Sequence, residues 1–334
     1  MTRRIPILLL AAGSLGGCRT STEAPVAAPP TATAQAPETP PAEELRLPLK
    51  QGSVRFAVIG DTGTGESEQY RIARVLNAWR ARFPYDFVLM MGDNLYGRER
   101  PGDYESKFAR PYEALLGAKV KFYAALGNHD EPNQVHYEHF NMGGKRFYTF
   151  KAEAARAEPA AGGNAKPAPA DPGASGGVRF FALDSNYLDP EQLEWLEKEL
   201  AASGSDWKIC FFHHPLYSSG MAHGPAIELR EALEPLLVEH GVDAVFTGHE
   251  HFYERIKPQK EIAYFIAGAS AKLRRGDVRK SEITAKAFDQ GYSFMLVEIA
   301  GDEMHFQTIS AAGKTVDSGV VRRRQAAKAE TGQD

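Results

Sequence analysis

The chain has 334 residues, a little over two lengths of a roughly 150-residue domain. Its 43% hydrophobic and 25% charged residues are ordinary for a soluble globular protein and exclude a wholly disordered chain or a multi-pass membrane protein. A net charge of -4 leaves no excess of positive charge for nucleic acid, so no nucleic-acid-binding surface is expected, and two cysteines, Cys18 and Cys210, exclude a disulfide framework and a cysteine zinc site.

At the N-terminus Arg3 and Arg4 precede an apolar run from Ile5 to Gly13. That run is too short to span a bilayer and has the dimensions of a signal h-region. Leu15-Gly16-Gly17-Cys18 follows and resembles a bacterial lipobox, in which cleavage leaves the cysteine as a lipid-bearing first residue. Residues 1–17 are therefore expected to be a lipoprotein signal peptide and Cys18 the lipidated residue. The protein is expected to be exported and anchored to the cell envelope. Arg19 in place of aspartate favours the outer membrane where one is present. Residues 18–50, rich in Ala, Pro, Thr and Glu, read as a tether that cannot bury enough apolar surface to fold. Residues 152–177 form a second low-complexity stretch, read as an insertion in a hairpin between strand-like runs at Arg146–Lys151 and Val178–Leu183. These two stretches hold eleven of the 21 prolines, so the remainder is more fold-like than the average composition implies. A polar tail is expected from 322, leaving 51–321 as one large α/β domain.

Within that domain Val54–Gly60 is a strand-like run ending in Asp61-Thr62-Gly63. Glu68–Phe83 has helical spacing, with Ile72, Val75, Leu76 and Trp79 on one face. Phe87–Met91 runs into Gly92-Asp93-Asn94, and Phe122–Leu126 into Gly127-Asn128-His129-Asp130. Phe180–Leu183 precedes Asp184-Ser185 and a helix carrying Leu193, Leu196 and Leu200. Ile209–Phe212 leads to His213-His214-Pro215, a helix at Ile227–Glu239 follows, and Ala244–Thr247 leads to Gly248-His249-Glu250-His251. Further strands are expected at Ala263–Ala267, Phe294–Ile299 and His305–Ile309. The strands are uniformly apolar and alternate with helices, as in a sheet buried on both faces.

Five strand ends carry Asp, Asn or His beside Gly or Pro. Ligands of open α/β sheets bind beyond the carboxyl ends of strands, so these residues are expected to converge on one edge. Carboxylates and an amide oxygen are hard ligands and imidazole suits first-row metals. The set therefore fits two adjacent ions, and adjacent glycines let the backbone approach closely. Gly60-Asp61-Thr62-Gly63-Thr64-Gly65 is glycine-rich but lacks the Lys-Ser/Thr of a P-loop.

The blocks Gly-Asp-Thr-Gly, Gly-Asp-Asn-Leu-Tyr, Gly-Asn-His-Asp, His-His-Pro and Gly-His-Glu-His, collinear over about residues 53–310, resemble those of the calcineurin-like metallophosphoesterases. Tyr96, three residues after Asp93, narrows the resemblance to the purple acid phosphatases. It implies a four-layer α/β/β/α sandwich of two mixed sheets flanked by helices. It assigns Asp61, Tyr96 and His251 to one metal, Asn128, His213 and His249 to a second, and Asp93 to a bridge between them. His213 is preferred to His214 because the family ligand stands two residues before a proline. His129 and His223 would face the substrate phosphate and its leaving group, with Asp130 orienting His129. His214 receives no role.

Asp61, Asp93, an ionised Tyr96 and a bridging hydroxide supply four negative charges. A trivalent–divalent pair then leaves about one positive charge to attract phosphate. A phenolate favours Fe(III), and the second ion would be Fe(II), Zn(II) or Mn(II). The implied activity is hydrolysis of a phosphate ester, most naturally a monoester as in acid phosphatases, with the bridging hydroxide as nucleophile and His129 or His223 protonating the leaving group. Two alternatives stand beside it: a phosphodiesterase acting on nucleotides or lipid head groups, and a non-catalytic surface-binding lipoprotein. The protein serine/threonine phosphatases differ, with Asp-Arg-Gly where this chain has Leu95-Tyr96-Gly97.

Overall fold

A computed structural model describes residues 43–152, 177–204 and 206–324. The leader, Cys18, the tether up to 42, the body of the insertion (153–176) and the tail from 325 lie outside the described residues.

The order of elements is β1 (Val54–Ile59), α1 (Ser67–Arg80), β2 (Phe87–Met90), the short helices α2 (Pro101–Tyr104) and α3 (Glu113–Gly117), β3 (Lys121–Ala124), β4 (Tyr148–Ala152), β5 (Val178–Ala182), α4 (Pro190–Ala201), β6 (Trp207–Phe211), α5 (Ile227–Glu239), β7 (Ala244–Thr247), β8 (Tyr253–Gln259), β9 (Ile262–Ala267), β10 (Thr284–Phe288), β11 (Ser293–Ala300), β12 (Glu303–Ser310) and β13 (Thr315–Arg322). One sheet runs β13-β12-β11-β1-β2-β3 and the other β10-β8-β9-β7-β6-β5-β4. Both are mixed. β1, β2 and β3 are parallel, with β11 antiparallel to β1. β5, β6, β7 and β9 are parallel, with β4 and β8 antiparallel to their neighbours.

Aromatic rings join the two sheets. Phe56 of β1 meets Phe180 of β5 edge-on at 5.2 Å between centroids, and Phe306 of β12 meets Phe265 of β9 at 5.0 Å. Each such pair adds about 0.5–1.5 kcal/mol beyond the area it buries. Ile72, Leu76 and Trp79 of α1 join that core. Leu196 and Leu200 of α4 and Leu233 and Leu237 of α5 pack with Phe181, Cys210 and Val245 of the second sheet. Asp189 caps α4, its carboxylate accepting from the Gln192 amide at 2.9 Å, and Pro190 takes the first helical position.

The folded body extends beyond 51–321 at both ends. Leu47, assigned to the tether, is 5% exposed. The amides of Leu49 and Lys50 donate to the buried Glu298 carboxylate of β11 at 2.8 and 2.5 Å, and Arg46 N–H donates to Gln307 at 2.9 Å. A buried carboxylate requires such donors, so residues 43–50 are part of the domain. β13 runs through Arg322. Beyond it, Arg323 N–H donates to the Asp302 carbonyl at 2.9 Å and Arg324 N–H to Asp243 at 3.0 Å.

β4 and β5 form the expected hairpin, with Tyr148 opposite Ala182 and Ala152 opposite Val178. The parallel strands point their carboxyl ends at the site described below, so Ala152 and Val178 lie at the opposite edge. Replacing 153–176 by an Asn-Gly turn should leave the melting temperature unchanged or slightly raised, because a shorter loop costs less to close. Turnover should not change. A fall in melting temperature or turnover would show that the segment packs on the domain.

Candidate dinuclear metal centre

Six strands of the two sheets deliver their carboxyl ends to one edge. Asp61 follows β1, Asp93 follows β2, and Asn128 and His129 follow β3. Ser185 follows β5, His213 and His214 follow β6, and His249 and His251 follow β7. Three of these residues hold left-handed backbone conformations that side chains rarely adopt: Asp61 (φ 55°), Asp93 (φ 51°) and His249 (φ 67°). Each costs about 1–3 kcal/mol and persists only where the surroundings over-determine it. The surroundings here do so. Asp61 N–H donates to Gly92 O at 3.1 Å, and His249 N–H donates to the Asp61 carboxylate at 3.0 Å. A Cβ on Gly127 would stand 2.2 Å from the Asp93 carboxylate, and one on Gly248 would stand 2.6 Å from that of Asp61. Only glycine permits either approach.

The first cluster is Asp61, Asp93, Tyr96 and His251. The Tyr96 hydroxyl donates to Asp61 Oδ1 at 3.2 Å and lies 3.4 Å from His251 Nε2, which is 3.4 Å from the same carboxylate oxygen. The second is Asn128, His213 and His249. His213 Nε2 lies 2.9 Å from Asn128 Oδ1, 3.1 Å from His249 Nδ1 and 3.4 Å from Asp93 Oδ1. Asp93 therefore touches both clusters. His213 Nδ1–H donates to the Met91 carbonyl at 2.8 Å, which leaves a lone pair on Nε2. That lone pair faces two oxygens and a second ring nitrogen. Among the described residues no Lys or Arg pairs with Asp61 or Asp93. Asp61, Asp93 and His213 are buried, and opposed acceptors of this kind call for a cation, so the donor set fits two metal ions.

The titration of the cluster follows from its charge. Burial, then the adjacent Asp93 charge, holds the Asp61 carboxyl well above the usual carboxylate range. Burial, then the Asp61 and Asp93 charges, raises the Tyr96 phenol. Burial and then Asp93 push Asp130 up to about 8. Burial, then neighbouring histidines, keeps His213 well below an ordinary histidine and His249 at about 2. His251 falls to about 4, through burial and then the Arg274 charge.

His129 and His223 are exposed above these clusters. The His129 ring lies 5.0 Å from that of Tyr96, and the His223 ring 4.2 Å from that of His249. Asp130 does not orient the His129 ring. Its carboxylate accepts from the amides of Leu95 (3.0 Å) and Gly127 (2.7 Å) and from the side chains of Asn94 and Gln134. It thereby fixes the turn that carries Asn128 and His129.

Several supporting contacts carried no sequence signal. Ser185 Oγ bonds His214 Nδ1 at 2.9 Å, placing His214 beside His213 and His249 as a further imidazole. Buried Glu250, Glu254 and Asp277 hold the 218–224 segment that bears His223, accepting from the amides of Gly224 (2.8 Å), Ser219 (2.9 Å) and Ala222 (3.0 Å) respectively. Lys272 places its ammonium 4.5 Å over the Tyr96 ring, and the Arg274 amide donates to the His251 carbonyl at 3.0 Å.

Residues 54–253 match the family model of the calcineurin-like phosphoesterases, and the chain belongs to that family, making it a metal-dependent phosphoester hydrolase. Within the family it is similar to purple acid phosphatase 7 of Arabidopsis thaliana, with 25% identity over 316 residues covering 85% of this chain and 92% of that one. It is also similar to tartrate-resistant acid phosphatase type 5 of Homo sapiens, with 27% identity over 304 residues covering 79% and 89%. Two solved structures share its fold at 17% identity. GAP50, the anchor in the inner membrane complex of Plasmodium, gives a TM-score of 0.68 over 82% of this chain and 90% of that one. The purple acid phosphatase PPD1 of yellow lupin gives 0.61 over 82% and 54%. The purple acid phosphatase relationship implies two metal ions.

Without metal, the buried histidines stay neutral in the fold but take up protons when unfolded below about 6.5. Stability is therefore lost as pH falls below that value. Asp61 and Asp130 act in the opposite sense, because the folded state retains protons that the unfolded state has released. Their contribution is lost as pH rises, that of Asp130 through about 8. Differential scanning fluorimetry of the metal-free protein should show a maximum near pH 6.5. Metal should lessen the alkaline fall, since a bound Asp61 is already ionised, whereas Asp130 binds no metal and keeps its part. Identical profiles with and without metal would contradict this.

Proposed function

We propose that the protein is a dinuclear phosphomonoesterase of the purple acid phosphatase type. The observation that carries this reading is the opposed lone pairs of the two clusters, with a tyrosine hydroxyl in the first and Asp93 shared between them. Asp61, Tyr96 and His251 would hold one ion, Asn128, His213 and His249 the other, and Asp93 both. The pair, when bound, lowers the pKa of water and withdraws charge from the phosphoryl oxygens. The Tyr96 site would take Fe(III), because a buried phenol beside two carboxylates ionises only against a high positive charge; the other would take Fe(II), Zn(II) or Mn(II). His129 and His223, exposed beside the two clusters, contact the phosphate and give a proton to the departing oxygen, an effect of about 10²–10⁴-fold. Glu250, Glu254 and Asp277 keep His223 in place, and Asp130 keeps His129 in place. A purely binding role would need neither imidazole.

Metal analysis, visible spectroscopy and assays with mono- and diester chromogenic substrates test the reading. The iron-loaded protein should be coloured by phenolate-to-iron charge transfer and should prefer the monoester. Tyr96→Phe should abolish the colour and lower turnover on the order of 100-fold, whereas Asn128→Ala should keep some colour. A colourless iron-loaded protein, or colour retained in Tyr96→Phe, overturns the purple-type centre. A preference for the diester makes the protein a phosphodiesterase.

We further propose that the protein is exported and anchored through a lipid on Cys18, with residues 19–42 linking the anchor to the domain. Cys18→Ser should release the protein from the membrane fraction or block its processing. Unchanged membrane association would refute the anchor.

A further inference from the structure

After β9 the chain passes against the first cluster and is fastened as it goes. A Cβ on Gly268 would stand 2.7 Å from the Asp61 carboxylate. The Ser270 amide donates to the Gly60 carbonyl at 3.2 Å, and its hydroxyl donates to the Ser293 carbonyl at 3.0 Å. The Ser293 amide returns a bond to the Ala269 carbonyl at 2.9 Å, and the Arg274 amide donates to the His251 carbonyl at 3.0 Å. Ala269, Ser270 and Ala271 are buried. Lys272 is therefore delivered to a fixed place, half-buried, with its ammonium 4.5 Å from the centre of the Tyr96 ring. Tyr96 is fixed as well. Its amide donates to the Gly63 carbonyl at 2.8 Å, and its carbonyl accepts from Lys107 Nζ at 2.7 Å. The ammonium lies over the ring, while the hydroxyl at the ring's edge faces Asp61 and His251. Among the described residues no carboxylate pairs with that ammonium, so its partner is the ring.

We propose that Lys272 tunes the metal site of Tyr96: its ammonium, held over the ring, stabilises negative charge on the phenolate and so limits how much of that charge the ring passes to the ion. The inference rests on the reading above, with Tyr96 as a ligand of Fe(III). Lys272 acts only through Tyr96 and is a positioning residue, not a catalytic one. A cation over an aromatic face is attracted by the ring's electrons, and more strongly once the ring itself is an anion. The hydroxyl oxygen stays free for the ion, because the ammonium addresses the face and not the edge. The consequences have fixed signs. In the visible transition an electron leaves the ring for the ion, away from the ammonium, so Lys272 raises the energy of that transition. A nearby positive charge also favours the reduced ion, so Lys272 raises its reduction potential. Weaker donation from the ring leaves the ion poorer in electrons and better able to polarise a phosphoryl oxygen.

The test is visible spectroscopy and spectroelectrochemical titration of the iron-loaded protein. Lys272→Met and Lys272→Gln each keep most of the stem and remove the charge. In both, the phenolate band should move to longer wavelength by roughly 10–20 nm, the size expected when a desolvated cation–π contact is set against the energy of a visible photon. The midpoint potential should fall in both. Lys272→Arg keeps a cation able to stack on the ring and should restore the wild-type band and potential. A band and potential unmoved by either neutral variant overturn the inference and leave the iron centre standing. An unmoved band with a raised KM for a chromogenic monoester also overturns it, making Lys272 a phosphate contact instead. An iron-loaded wild type without a phenolate band overturns both the tuning and the purple-type centre on which it rests.

Discussion

The carbonyl of Met91 takes the Nδ1 proton of His213, and much of the molecule's chemistry follows from that bond. The ring is fully buried, so the other nitrogen must direct its lone pair at whatever stands opposite. Opposite stand Asn128 Oδ1, Asp93 Oδ1 and His249 Nδ1. The two oxygens offer no proton to that lone pair, and burial opposes protonating the ring itself. A cation resolves the conflict, and Asp93 connects it to a second set of acceptors around Asp61. The centre is therefore destabilised when empty, and metal binding and folding are coupled.

Holding such groups together takes a stiff frame. Two sheets locked by Phe56, Phe180, Phe265 and Phe306 bring the parallel strand ends to one edge. Immediately beyond those ends the backbone is forced left-handed at Asp61, Asp93 and His249, and Gly127 and Gly248 leave room for the carboxylates. Strain sits at the metal-facing residues and is opposed by the buried strands behind them. The exposed histidines are secured differently. Buried carboxylates fasten the segment under His223 and the turn under His129, so the groups that meet solvent are also held in place.

Sequence patterns revealed the buried parts of this design and concealed the contacts between distant segments. β1, β2, β6 and β7 are covered on both faces, so their apolar runs and the Gly-Asp, His-His-Pro and Gly-His-Glu-His blocks that follow were legible. β13 was not legible, because it is a half-buried edge strand with Asp317 and Gly319 inside it. β8 was hidden by its charged residues and Pro258. Residues 43–50 looked like tether because their partners, Glu298 and Gln307, are about 250 positions away. Asp130 stood beside His129 in sequence and was read as its partner, yet its carboxylate turns back to the Leu95 and Gly127 amides. The pairing of Ser185 with His214, and of Glu250, Glu254 and Asp277 with the 218–224 segment, joins single polar residues with no shared motif.

Anomalous diffraction from crystals of the metal-loaded protein tests the central claim most directly. Two peaks about 3.5–4 Å apart are predicted. One would lie within bonding distance of Asp61, Tyr96 and His251, the other of Asn128, His213 and His249, with an Asp93 oxygen between them. A single peak, or a pair bound elsewhere on an active enzyme, would contradict it.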